Sequence, residues 1–93
     1  MTFVARQPMA REDAYLAIAI ARNVFRDMKD KPWKIFSERC RQARKIKFWY
    51  VKADTQALLE KTLTSFGIPF EHGSGGVVIY VPLDVTYSQS PRS

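Results

Sequence analysis

Cysteine and histidine are nearly missing from this chain: Cys40 and His72 are the sole examples among 93 residues. A single cysteine excludes an intramolecular disulfide and any cysteine-based metal cluster. A single histidine removes most zinc sites and His-dependent hydrolase designs, which need several ligands or a positioned base. Long apolar runs are missing too. The longest, from Ala14 to Ala21, falls far short of the roughly 20 residues a membrane span requires. Glu12 and Asp13 precede it where a signal peptide would be positive, and no small-residue cleavage site follows. The expectation is a soluble cytoplasmic protein with no membrane association, metal or cofactor.

What the chain does have is apolar content and positive charge. Hydrophobic residues make up 46% and aromatics 13%, the composition of a globular protein and not of a disordered basic tail. A chain of this size buries only about 60–65% of its unfolded surface, which excludes a second domain or a large internal cavity. Residues 1–83 are expected to form a single small α+β domain. Residues 84–93, with Ser, Pro and Arg and no periodicity, read as a flexible C-terminal tail.

Periodicity predicts a helix over residues 9–29, with Ala14, Ile18, Ala21, Phe25 and Met28 as a continuous apolar stripe. Ala17 and Val24 widen that stripe, so the helix packs against its own domain. Asp30-Lys31-Pro32 breaks it and starts a second helix over residues 33–44. Trp33, Phe36, Cys40 and Ala43 share one face of that helix, with Lys34, Glu38, Arg41 and Lys45 on the other. Cys40 then reads as a small buried hydrophobe and not as a reactive thiol.

From Ile46 to Lys52 the residues are strand formers. Asp54 is the expected N-cap of a third helix running through Phe66, with Leu58, Leu59, Leu63 and Phe66 buried. Gly67 is the expected left-handed C-cap, with Ile68 contacting Leu63. Residues 68–72 form a short strand, residues 73–76 a turn, and residues 77–81 the most apolar strand. The expected architecture is two N-terminal helices followed by a β-α-β-β unit. Its first two strands are parallel and its third lies between them, giving order 1-3-2, with Pro69 on an edge strand. Residues 46–82 resemble half of a ferredoxin-like fold. The resemblance is topological and implies no functional residues.

The charge is uneven. Residues 22–52 hold eleven basic residues against three acids, net +8, while the rest of the chain is net −2. Such a patch is the footprint of an anionic partner, nucleic acid first. The expected contacts are Lys34, Arg39, Arg41, Arg44, Lys45 and Lys47 on phosphates, with Trp49 or Tyr50 stacking on bases. Alternation sends Phe48 and Tyr50 to one sheet face and Trp49 to the other. The glycine-flanked aromatic signature of RNA-recognition motifs is absent. A helix-turn-helix built from the first two helices is disfavoured by the near-absence of base readers, Gln42 alone being present in the second.

Glu71 and His72 beside Gly73-Ser74-Gly75-Gly76 are the best catalytic candidates. As strand neighbours they point to opposite faces, and a glycine loop joining two strands serves hairpin geometry and not a phosphate. The expectation is therefore a non-enzymatic accessory protein that binds RNA, single-stranded DNA or a nucleoprotein complex. The alternative is an adaptor or inhibitor, of the kind used by viruses or mobile elements, whose basic face docks on an acidic protein surface. A homodimer is expected, since a three-stranded sheet leaves two open edges.

Overall fold

The computed structural model describes residues 7–26, 34–49 and 51–85. Six elements follow one another: α1 (Arg11–Arg26), β1 (Lys34–Arg39), β2 (Arg44–Trp49), α2 (Ala53–Ser65), β3 (Glu71–Gly73) and β4 (Gly76–Val81). The fold is α+β, with two helices and one four-stranded antiparallel sheet in the order β1-β2-β4-β3.

α1 forms where its stripe predicts. Ala14, Ala17, Ile18, Ala21 and Phe25 are buried, Glu12 and Asp13 occupy the first turn and Arg26 the last, matching the helix dipole. Small residues at positions 14, 17 and 21 let the helix approach the sheet closely, and Phe25 reaches the ring of Phe48 at 5.6 Å. The end of α2 also follows its sequence. The Ile68 amide donates to the Leu63 carbonyl and the Gly67 amide to Thr64, both at 3.0 Å, and Gly67 has φ 71°. This is a Schellman closure, which needs a residue free to adopt positive φ.

Three expectations about elements require correction. Residues 34–44 do not form a second helix, and residue 33 lies outside the described residues. Residues from Lys34 to Arg39 are strand β1, and β2 begins at Arg44. The described residues thus hold two helices, and among them the β-α-β-β unit is preceded by one helix and one strand. The sheet gains that strand outside β2, while β2, β4 and β3 are neighbours in that sequence. The physical reason is cross-strand pairing: six residues of β1 lie in continuous register with β2, from Lys34 opposite Trp49 to Arg39 opposite Arg44. The spacing of Phe36, Cys40 and Ala43 suits a helix by local period, but the pairing is non-local and overrides it. Cys40 is consequently no core residue. It is half-buried in the β1–β2 turn, where its amide donates to the Ala43 carbonyl at 2.8 Å.

The second correction concerns α2. Lys52, not Asp54, is its N-cap, and no side chain caps it. Its buried stripe is Gln56, Leu59 and Leu63, while Leu58 and Phe66 are exposed. The third concerns the C-terminal boundary. Val85 is buried in the core, and Asp84 pairs with Arg11 at 2.8 Å, so the folded unit extends through residue 85. The remainder of the expected tail, residues 86–93, lies outside the described residues.

Both helices cover one face of the sheet. Ile46 and Phe48 of β2 and Val77, Ile79 and Val81 of β4 form the core with α1 and α2. No described helix is long and apolar enough to cross a membrane.

Candidate nucleic-acid interface

Strand alternation sorts the remaining sheet residues onto the opposite face, against which no described helix packs. The register sets them in three rows. Trp49 lies opposite Gly76, which is opposite Gly73. Phe36 is followed by Lys47, Val78 and Glu71, and Glu38 by Lys45 and Tyr80. The face is therefore a mixture of rings, lysines and two carboxylates.

Trp49 owes its position to glycine. Its ring lies over Gly73 and Gly76, and a methyl group at Gly76 would overlap both the ring and the Phe48 carbonyl. The absence of Cβ atoms lets a half-buried indole lie flat across the β3–β4 hairpin with part of its surface to solvent. Lys45 stands 6.0 Å from the centre of the Tyr80 ring, at the limit of a cation–π contact. Lys47 Nζ lies 3.6 Å from Glu38, and the Tyr80 hydroxyl donates to Glu71 at 3.4 Å.

The expected contact residues divide among three places. Lys45, Lys47 and Trp49 share the open face. Arg39 and Arg41 are exposed at the end of β1 and in the turn, Arg39 opposite Arg44 and so on the helix side of the sheet. Arg44 faces the helix side opposite Val81, and its guanidinium is engaged. Nε and Nη2 donate to the Leu83 carbonyl at 3.2 and 3.1 Å, and Nη1 to the Ser37 hydroxyl at 3.2 Å. Arg44 thus ties the segment after β4 to the first hairpin. Lys34 opens β1 opposite Trp49. Tyr50 and Trp33 lie outside the described residues. With β1 in place of the second helix, the helix-turn-helix alternative has no recognition helix at residues 34–44.

Sequence reasoning overlooked Tyr80 and Phe36 as members of this face. The signal was present: Tyr80 alternates with the buried Ile79 and Val81, so it must point the other way. Phe36 carries no such signal, because its spacing to Cys40 and Ala43 has a helical period.

On the helix side, the buried Gln56 side chain donates to the Gly73 and Gly76 carbonyls, each at 2.9 Å, fastening α2 to the β3–β4 turn. His72 Nδ1 lies 2.6 Å from Glu60. Glu71 and His72 face opposite sides of β3, as alternation demands: Glu71 meets Tyr80 on the open face while His72 meets α2. Among the described residues there is no group of three or more His, Cys, Asp or Glu that could hold a metal ion. Comparison with protein-family models, curated proteins and solved structures finds no match to the chain.

Proposed function

We propose that this chain is a non-enzymatic accessory protein that binds single-stranded nucleic acid across its open sheet face. The observation that carries the reading is the placement of Trp49 and Tyr80 on the same face as Lys45 and Lys47, against which no described helix packs, near a hairpin tip with Arg39 and Arg41 exposed. Rings present π-faces on which any base can stack, and flanking cations neutralise phosphates without reading sequence. Arg39 and Arg41, exposed at the turn, grip the backbone, while Lys45 and Lys47 add point charges nearer the rings.

Fluorescence anisotropy with RNA, single-stranded DNA and duplex DNA over a salt series tests this. Affinity should fall steeply with salt, with single strands preferred. The double variant Arg39→Ala/Arg41→Ala should reduce the log–log salt slope by roughly 1.4, the share of two phosphate contacts on a single strand. Absence of binding to all three probes at low salt ends the proposal.

A second reading has its own support. Glu38 and Glu71 share the open face, and Lys47 is already paired with Glu38. Mixed signs in fixed rows suit a protein surface of complementary pattern better than a uniformly anionic strand. Capture of a defined protein that survives nuclease treatment favours this adaptor or inhibitor reading; loss of the partner on nuclease treatment removes it.

A further inference from the structure

We infer that β1 is the dimerisation edge of this protein, two copies joining antiparallel through β1 about a two-fold axis at Phe36. The inference is independent of the nucleic-acid reading.

The sheet has two edges, β1 and β3. The β3 edge is short, three residues, and beyond it the Met9 amide donates to Tyr80 at 3.0 Å, continuing the cover along β4. Lys34, Glu38 and Arg39 put charge on β1, but among the described residues no element pairs with its outer side. It is six residues long, contains no proline or glycine, and keeps unbroken register with β2, so no bulge twists it away. Phe36, Ser37, Glu38 and Arg39 are all exposed, with Phe36 at 42%.

The turn fixes which backbone groups are free. The Cys40–Ala43 hydrogen bond lies in the same register as the ladder, so hydrogen-bonded pairs alternate from it through Glu38 and Phe36. The amides and carbonyls of Ile35, Ser37 and Arg39 therefore point away from β2, into the edge. A two-fold axis perpendicular to the sheet keeps each face on its own side, so a residue can lie opposite only one that shares its face. Centring on Phe36 makes Ile35 of each copy exchange both backbone bonds with Ser37 of the other. It sets Phe36 beside its own symmetry mate on the open face and places Lys34 opposite Glu38 of the second copy. Centring on Ser37 would instead bring Phe36 against Glu38 and Ile35 against Arg39, apolar groups under charges. Apolar matching selects Phe36. The product is a single eight-stranded sheet whose two open faces are continuous.

Light scattering on the full chain tests the edge. Wild type at tens to hundreds of micromolar should give twice the 10.7 kDa chain mass. Ser37→Pro should give the monomer mass with an unchanged circular dichroism spectrum, because the amide it removes points away from β2 and belongs to no intrachain ladder bond. A second measurement does not depend on that variant folding. In a Cys40→Ser background, Phe36→Cys should form a disulfide-linked dimer on mild oxidation. Position 36 meets its mate in a non-hydrogen-bonded pair, with Cα atoms about 4.5 Å apart, which lies within disulfide range. A wild-type mass of 10.7 kDa throughout, a folded Ser37→Pro protein that remains dimeric, or crosslinking at Ser37→Cys but not at Phe36→Cys overturns the proposal.

Discussion

The two hairpins of this sheet reach the same geometry by different chemistry. The β3–β4 hairpin turns through Ser74 and Gly75, the latter at φ 84°, and runs into a strand whose residues are nearly all buried. The β1–β2 hairpin turns through Cys40, Arg41, Gln42 and Ala43 without a glycine, and its outer strand is largely exposed. One hairpin is specified by its turn and held by the core. The other is held by six ladder pairs and by Arg44, and it carries most of the basic side chains on the sheet. Surface positions free of packing duties tolerate charge, so the exposed hairpin is where a binding face can be built at little cost to the fold.

That contrast can be broken most sharply inside β2, where core and open face alternate residue by residue. Phe48→Ala should cost about 3–5 kcal/mol in urea denaturation, since a fully buried ring is removed between α1 and the sheet. Its neighbour Lys47→Ala should change stability by less than about 0.5 kcal/mol. Equal losses at the two positions would mean that the open face is packed after all.

A single methyl group sharpens the difference between hairpins. Gly76→Ala should destabilise by roughly 1–3 kcal/mol or more, because the new Cβ overlaps the Trp49 ring and the Phe48 carbonyl. Its intrinsic fluorescence should shift as the indole is displaced. On the other hairpin, Glu38→Ala should fall within about 0.5 kcal/mol. Between these lies Gln56→Leu, which leaves two hairpin carbonyls without their donor and should cost about 1–3 kcal/mol in the same denaturation experiment.

The smallest effect is expected at the exposed Arg11–Asp84 pair. The hydrogen bond from Arg11 holds the Asp84 carboxyl below its ordinary value. A depressed carboxylate contributes stability above its unfolded pKa and loses that contribution as pH falls through the folded one. Asp84→Asn should therefore flatten the acid limb of the Tm–pH curve slightly and leave the neutral plateau almost unmoved. A large loss at neutral pH would show that this pair, and not the burial of Val85, anchors the end of the fold.

The legible parts of the fold were those with local chemistry. The α1 stripe, the Gly67 closure of α2, the strand at Val77–Val81 and the separation of Glu71 from His72 each follow from period or from a residue's conformational freedom. The basic segment was legible as composition, yet its arrangement was not. Phe36, Cys40 and Ala43 carry a helical spacing, and Cys-Arg-Gln-Ala offers none of the glycine, proline or Asx residues that announce a turn. Leu58 departs from its expected burial for a related reason, and no local signal marks the polar Gln56 as buried. Two glycine carbonyls from a distant hairpin instead supply the hydrogen bonds that let Gln56 sit inside.

By itself, then, the sequence determined an α+β chain with an apolar first helix, a helix closed by Gly67, a buried strand at residues 77–81 and a positive middle third. Tertiary structure alone decided that the middle third is a hairpin, and which of its charges share a face with Trp49 and Tyr80. It also decided that Arg44 is spent on the Leu83 carbonyl. Period and backbone freedom act between neighbours along the chain. Strand pairing sets Arg44 opposite both Arg39 and the distant Val81, and only the folded sheet brings such residues together.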